Sequence, residues 1–223
     1  MMAEHTVKAF DEDITRLRGL IGEMGGLAEV AIEEALASLV AGDSDRASRV
    51  VTGDKRIDEL ETQVEKFAVR VIALRAPMAD DLREVIAALK IAAVVERIGD
   101  YSKNIAKRVG SIENRDRFEP LTLLPAMADI AGEMVHDALT AYAARDPMLA
   151  REVIATDNKV DAFYNSIFRN LVTYMVENPA TISSAAQLLF VARNLERIGD
   201  HATNIAEMVH FAATGQYPPE DDR

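Results

Sequence analysis

The sequence contains the same five-residue segment twice, one hundred residues apart. Glu96-Arg97-Ile98-Gly99-Asp100 returns as Glu196-Arg197-Ile198-Gly199-Asp200, and the tripeptide Asn-Ile-Ala follows each copy. A second match, between Asp54-Lys55-Arg56-Ile57-Asp58 and Asp157-Asn158-Lys159-Val160-Asp161, has a spacing of 103 residues. Self-similarity at a nearly constant period is the signature of an internal repeat. The chain therefore consists of two copies of one unit of about a hundred residues, which strongly limits the folds that it can adopt.

Helical patterns extend over nearly the whole sequence. Ala, Glu, Leu, Arg and Met dominate, apolar residues recur three and four positions apart, and prolines fall at the borders of these patterns. The predicted helices span approximately residues 10–41, 44–75, 79–109, 123–144, 147–177 and 179–215. Short connections make consecutive helices antiparallel neighbours. The predicted fold is all-α, a tandem repeat of two antiparallel three-helix bundles.

The repeat also predicts the domain boundaries. We expect a first bundle over residues 10–112 and a second bundle over residues 118–215. The polar stretch 111–120 is interpreted as the linker between the bundles, and residues 216–223, with two prolines and three acids, as a frayed tail.

Composition narrows the possible partners and the cellular compartment. The formal net charge is −12, which disfavours binding to nucleic acid or to anionic lipid. There is no cysteine, so a disulfide framework and a thiolate metal site are absent, which fits the cytoplasm. Residues 1–13 are charged and lack the apolar run of a signal peptide, and no segment has the length of apolar sequence expected for a membrane span.

Two pairs of acids at a spacing of four residues recur in both copies, one on the second and one on the third predicted helix of each copy. The pairs are Asp54 with Asp58, Glu96 with Asp100, Asp157 with Asp161, and Glu196 with Asp200. Like charges one turn apart cost a helix about 0.2–0.5 kcal/mol, and an intervening glycine costs up to about 1 kcal/mol more. Because both copies keep this unfavourable arrangement, we infer that the acid pairs have a function. Oxygen ligands at successive helical turns suit a hard divalent cation.

A helical wheel predicts where these acids point. Glu96 and Asp100 lie opposite the apolar stripe of the third helix, so we expect them to face away from the core of their own bundle. Gly99 and Gly199 are expected to allow close approach of a neighbouring helix or ligand. The wheel leaves open whether the two pairs of one bundle meet at a single metal.

The simplest alternative is that these acids are solvated side chains of a structural helical bundle. Lys103 and Lys107 are placed to neutralise them in the first copy. The second copy has Thr203 and Glu207 at those positions. Solvation therefore explains the second copy less well than the first.

A further alternative is a metal-dependent enzyme of the carboxylate-bundle kind. Glu133 with His136, and Glu207 with His210, match the Glu-x-x-His pattern of di-iron bundles. The ligands of such bundles point into the core, whereas the wheel places these histidines on outer faces. The two matches also occupy different positions in the repeat. We therefore interpret them as chance matches, and no nucleophile or phosphate-loop motif supports an enzyme.

Taken together, the motifs resemble those of the PhoU family, accessory regulators of bacterial phosphate uptake. The resemblance covers essentially the whole chain in order and rests on the two Glu-Arg-Ile-Gly-Asp segments and their Asn-Ile-Ala tripeptides. It rests also on four further segments: Met24-Gly25-Gly26, Gly53-Asp54-Lys55, Asp157-Asn158-Lys159-Val160-Asp161 and Leu171-Val172-Thr173-Tyr174-Met175. It implies tandem three-helix bundles, the same fold that the helical patterns predict.

The resemblance also implies a set of metal ligands. Acid-x-x-x-acid motifs bind metal in this family, in several cases as multinuclear clusters. Carried over by position, the ligands are Asp54, Asp58, Glu96, Asp100, Asp157, Asp161, Glu196 and Asp200. An all-oxygen set favours Mg or Mn, with Fe or Zn as alternatives.

The function implied by the resemblance is regulatory and non-enzymatic. Such a protein is a cytoplasmic adaptor that restrains phosphate uptake and the phosphate-starvation response, the Pho regulon. It links PstB, the ATPase subunit of the Pst phosphate ABC transporter, to the sensor kinase PhoR. We also expect a homodimer.

Overall fold

The computed structural model describes residues 2–112 and 122–219, with side chains from residue 9 onward. Long helices account for most of these residues. They are α1 (Met2–Ala41), α2 (Ser44–Arg75), α3 (Asp80–Ala106), α4 (Leu124–Ala144), α5 (Pro147–Glu177) and α6 (Ile182–Thr214). The all-α prediction is confirmed, with three long helices in each copy of the repeat.

The starts of α2 and α5 follow from equivalent capping residues. Asp43 accepts a hydrogen bond from the backbone N–H of Arg46 at 2.9 Å. Asp146 accepts from the N–H groups of Met148, at 2.8 Å, and Leu149, at 3.2 Å. A carboxylate at this position satisfies N–H groups that have no partner within the helix.

Three helix boundaries differ from the sequence predictions. The first helix begins at Met2 rather than near residue 10. The third ends at Ala106, and a 3-10 turn over Val109–Ser111 follows it. Before the last helix, Asn178 caps a separate 3-10 turn, Pro179–Thr181, so that α6 begins only at Ile182. Tight turns of this kind are common at helix ends.

Apolar residues at helical spacing form the core of each bundle. The predicted stripe on α3 is buried throughout: Ile91, Val95, Ile98, Ser102, Ile105 and Val109. Ser102 is satisfied there because its hydroxyl donates to the Ile98 carbonyl at 3.0 Å. The stripe on α2 is likewise buried, apart from the half-buried Phe67.

The two bundles share one continuous hydrophobic core. Helices α1, α2 and α3 pack together, as do α4, α5 and α6, and the bundles meet where α3 contacts α6 and α1 contacts α4. At the α1–α4 contact, a Cβ atom on Gly25 would lie only 2.3 Å from Leu139 Cδ1. α1 runs through Gly25-Gly26 without interruption, so Gly25 serves close helix packing.

The predicted linker and tail are only partly described. Residues 113–121 and 220–223 lie outside the described residues. After α6, Tyr217 stacks on Phe211 with ring centroids 4.8 Å apart. Among the described helices, none combines the length and the apolar character needed to cross a membrane.

Candidate functional site

Each bundle brings its two acid pairs together at a glycine. In the first bundle, a Cβ atom on Gly99 of α3 would lie 3.2 Å from Asp54 Oδ1 of α2. In the second bundle, a Cβ atom on Gly199 of α6 would lie 3.2 Å from Asp157 Oδ1 of α5. The same distance in both copies shows that the glycines allow a carboxylate of the neighbouring helix to approach closely. This confirms the prediction made for Gly99 and Gly199.

We call the two sets of acids the N-cluster and the C-cluster. The N-cluster consists of Asp54, Asp58, Glu96 and Asp100. The C-cluster consists of Asp157, Asp161, Glu196 and Asp200. Within each cluster the carboxylates lie close enough to act electrostatically on one another.

The predicted orientation of the third-helix acids was wrong. The wheel assumed one apolar stripe on α3, but α3 packs against α1, α2 and α6. The face that carries Glu96 and Asp100 therefore turns towards α2 of the same bundle. In the second bundle Glu196 is only 8% exposed, as expected for a residue facing α5 and not bulk solvent.

The N-cluster contains its own cation. The Lys103 ammonium donates hydrogen bonds to Asp54 and to Asp100, the latter at 2.6 Å. Burial lowers the pKa of Lys103, but the hydrogen bonds to Asp100 and Asp54 outweigh burial and hold that pKa above its ordinary value. Lys103 therefore remains charged and neutralises part of the cluster.

Glu61 is a neighbour of the N-cluster that the sequence analysis missed. Burial, then the negative charges of Asp100 and Glu61, raise the pKa of Glu96 to about 7. Glu61 lies seven positions after Asp54 on α2, a spacing that places both on one face of the helix. Glu61 does have an acid four residues on, Glu65, but the second copy lacks this pair, so the requirement that a pair be repeated excluded it. Tyr164 takes the corresponding place in the second copy.

The C-cluster has Thr203 where the N-cluster has Lys103. The Thr203 hydroxyl is buried and has no hydrogen-bond partner among the described residues. Glu196 Oε1 accepts a hydrogen bond from Arg193, whereas Glu196 Oε2 is buried and likewise has no partner among these residues. A buried carboxylate oxygen without a donor costs free energy unless a ligand satisfies it.

The pKa values of the C-cluster acids reflect the replacement of a lysine by Thr203. Burial raises the pKa of Asp157 to about 6, and the neighbouring charges that add to this effect, Asp200 and Asp161, are both negative. Burial, then Asp200, raises the pKa of Glu196 to about 7, against the opposing charge of Arg193. Burial also raises the pKa of Asp200. At neutral pH the cluster favours binding of either protons or a cation.

The donor set of the C-cluster fits a hard divalent cation. It offers carboxylate oxygens from two facing helices, including the unpartnered Glu196 Oε2. Asp161, like Asp58 in the first bundle, is exposed at the rim. Within the described part of the chain, no three acidic or histidine side chains are already arranged as a ligand set. Coordination therefore requires the carboxylates to rotate towards a common point.

The two Glu-x-x-His matches lie outside both clusters. His136 Nδ1 is 3.4 Å from Glu29 on α1. His210 Nδ1 is 2.9 Å from the Gln216 carbonyl, beyond the end of α6. The two histidines thus lie in unrelated surroundings and do not form a common site, as expected for chance matches.

Comparison with protein families identifies the repeated unit. The sequence model of the PhoU domain matches the chain twice, over residues 21–109 and 124–209. Between them, the two matches include all eight acids of the clusters.

Individual relatives are similar over nearly their whole length. The chain is 54% identical over 219 residues to a phosphate-specific transport system accessory protein PhoU homolog of Zymomonas mobilis subsp. mobilis, covering 98% of this chain and 92% of that protein. It is 36% identical to the phosphate-specific transport system accessory protein PhoU of Escherichia coli, covering 96% and 88%. The crystal structure of PhoU from Pseudomonas aeruginosa superposes with a TM-score of 0.87 at 34% identity, covering 93% of this chain and 100% of that one.

Proposed function

Because the chain belongs to the PhoU family, we propose that it is an accessory protein of a phosphate-specific transport system that restrains phosphate uptake and the phosphate-starvation response. The observation that carries this proposal is the double domain match together with full-length similarity to proteins of that name. The family consists of regulatory accessory proteins and not of enzymes, which excludes the metal-dependent enzyme considered above.

Two partners follow from this role. The chain acts in the cytoplasm, where it links the ATPase subunit PstB of the Pst transporter to the sensor kinase PhoR. Both proteins should co-purify with the tagged chain from phosphate-replete cells. Recovery of neither protein would contradict the linking role.

The test of the regulatory role is a phosphate-starvation reporter in phosphate-replete cells of the source organism. Depletion of the chain should switch the reporter on, and the wild-type gene should switch it off again. A reporter that stays silent after depletion would contradict negative regulation. Complementation with Asp157→Asn/Asp200→Asn then asks whether the C-cluster takes part, with the exposed Glu152→Gln on the same helix α5 as the matched control.

The C-cluster supports a second part of the proposal, binding of Mg²⁺ or Mn²⁺, with Fe or Zn as alternatives. Asp157, Asp161, Glu196 and Asp200 would hold the ion. The bound cation would neutralise carboxylates whose pKa values stay raised despite the positive charges of Arg193 and Arg197. In the first bundle, the ammonium of Lys103 already occupies the space between Asp54 and Asp100. We therefore expect the N-cluster to bind a divalent ion more weakly than the C-cluster.

Self-association is the last part of the proposal. We expect a homodimer, since the two bundles expose extensive surface that includes large apolar side chains such as Met78 and Val176. Sedimentation velocity at micromolar concentration should give a dimer. A single monomeric species would refute this expectation.

A further inference from the structure

A groove of about 770 Å³ runs between α1 and α4 on the surface of the molecule, and no residue of either acidic cluster lines it. Its floor is apolar and includes Ile32, Leu36, Ala128 and Gly132. Val40, at the Ala41 end of α1, is 45% exposed. The lining extends from Glu29 to Ala41 along α1, which is about 18 Å at the rise of an α-helix and corresponds to roughly three helical turns.

Both rims of this groove are acidic. Glu29 and Glu33 line it from α1, and Asp129, Glu133 and Asp137 line it from α4. Of the described residues that line the groove, none is a lysine or an arginine, and the only basic side chain is His136, which approaches Glu29 at 3.4 Å. Both residues of the first Glu-x-x-His match, Glu133 and His136, therefore line this groove.

The charge of the rims decides among the possible occupants. An anionic lipid surface or a nucleic acid would bring phosphates against five carboxylates, which is unfavourable. A second copy of this chain carries a net charge of −12, which disfavours it at these acidic rims, and the homodimer proposed above rests on apolar side chains outside the groove, Met78 and Val176. A segment with an apolar stripe and flanking lysines or arginines complements both the floor and the rims, and an amphipathic helix in a groove is a known mode of peptide recognition.

We propose that the α1–α4 groove is a docking site for a positively charged amphipathic helix of another protein. The apolar stripe of that helix lies against Ile32, Leu36 and Gly132, and its basic side chains meet the carboxylates of the two rims. This inference does not depend on the phosphate role or on metal binding, because neither cluster contributes to the groove.

The structure offers a steric probe of the site at Gly132. A Cβ atom on Gly132 would have no neighbouring atom within 4 Å, so we expect Gly132→Leu to fill the groove and leave the fold intact, and leucine also has the higher helix propensity. Gly22→Leu is the matched control. Gly22 is an exposed glycine on α1 that does not line the groove, and a Cβ atom there also has no neighbour within 4 Å.

The experiment measures binding of a labelled peptide to the full chain by fluorescence anisotropy. The peptide has about 18 residues, which is long enough to form a helix. Its leucines form a stripe along one side of the helix, and lysines flank this stripe. A second peptide carries glutamate in place of lysine. We expect the lysine peptide to bind and the glutamate peptide not to bind. Gly132→Leu should weaken binding of the lysine peptide about tenfold or more, and Gly22→Leu should leave it unchanged.

Charge variants give a second readout. Glu33→Gln with Glu133→Gln should weaken binding at low ionic strength and have little effect at high ionic strength, since salt screens exposed charges. Three results would overturn the proposal. In the first, the lysine peptide does not bind. In the second, Gly132→Leu binds the peptide as tightly as the wild type does. In the third, Gly132→Leu converts a dimer to a monomer with no change in peptide affinity. The last result would assign the groove to contacts between copies of the chain.

Discussion

One residue distinguishes the two acidic clusters. Lys103 reaches Asp54 and Asp100, whereas Thr203, at the corresponding position, leaves the C-cluster without such a cation. A charge-assisted hydrogen bond is worth about 1.5–3 kcal/mol, so an ion that displaces Lys103 loses that much of its binding free energy. The duplicated acids thus have different chemistry in the two bundles.

Exchanging Lys103 and Thr203 between the two clusters should reverse the order of their metal affinities. Thr203→Lys should weaken binding of Mn²⁺ at the C-cluster by about tenfold or more, because the new ammonium competes for Asp157 and Asp200. Lys103→Thr should strengthen binding at the N-cluster. Titration calorimetry measures both changes, with Lys107→Thr, an exposed lysine one turn further along, as the control. Unchanged affinity in both exchange variants would show that Lys103 does not govern metal binding.

The C-cluster also predicts a dependence of stability on pH. Burial raises the pKa of Glu196 from 4.5 to about 7, so the folded state binds this proton more tightly than the unfolded chain does. The free energy of unfolding of the metal-free protein should therefore fall as the pH rises from about 4.5 to 7. The affinity for a divalent metal should instead rise with pH, because a metal would bind the ionised carboxylates.

Thermal unfolding of the metal-free protein across this pH range tests whether stability falls as the pH rises. The melting temperature should decrease as pH increases. Glu196→Gln should make the profile shallower because its side chain does not titrate, while Glu96 and Asp157, whose pKa values are also raised, keep part of the slope. Glu152→Gln, an exposed acid on α5, should keep the wild-type slope. If the melting temperature of Glu196→Gln fell as steeply with pH as that of the wild type, Glu196 would not be the source of the pH dependence.

At the scale of the helices, the clusters depend on how closely two elements approach. Gly99 and Gly199 allow α2 to approach α3, and α5 to approach α6, so that an aspartate of one helix lies over a glycine of the next. The sequence repeat predicted the acids, the glycines and the need for close approach. It did not predict the direction of Glu96 and Asp100, because a wheel assumes one buried stripe and α3 has three neighbouring helices.

Enlarging Gly199 should separate α5 from α6. In Gly199→Val the new Cβ atom lies 3.2 Å from Asp157 Oδ1 and 3.3 Å from Val160 Cγ1, so these side chains must shift, and we expect the two added methyl groups to push the helices apart. We expect destabilisation of about 1–3 kcal/mol, typical of an overpacked core, together with weaker metal binding. Chemical denaturation and calorimetry measure the two effects.

Gly19→Val is the control for this substitution. It places the same side chain on α1 at an exposed position where a Cβ atom has no neighbour within 4 Å. It should affect neither stability nor metal binding appreciably. If the two substitutions had equal effects, the close contact between Gly199 and α5 would not be what stabilises the fold and the metal site.

At the scale of the whole molecule, the two bundles behave as one body because their cores are continuous. A charged group also joins them. Glu84 of α3 is buried and pairs with Arg18 of α1 and, at 3.0 Å, with Arg145 at the end of α4. The repeat predicted two bundles but not how they pack, because the residues that join them, such as Gly25 and Glu84, are not repeated in the sequence.

Removing Glu84 should destabilise the whole molecule. Glu84→Ala leaves two arginines beside a buried site without their carboxylate, for which we expect a loss of about 1–3 kcal/mol in the free energy of unfolding. Urea denaturation measures this loss. The control is Glu23→Ala, which removes an exposed partner of Arg56 and should have a much smaller effect. Equal losses in the two variants would show that Glu84 does not join the bundles.

The most direct test of the acidic clusters is anomalous diffraction from crystals of the wild-type protein grown with Mn²⁺. A peak should lie between α5 and α6, within coordination distance of Glu196 and at least one of the other three carboxylates of the C-cluster, and any peak at the N-cluster should be weaker. Manganese bound only at the N-cluster, or only outside both clusters, would contradict the claim that the carboxylates without a lysine are the metal site.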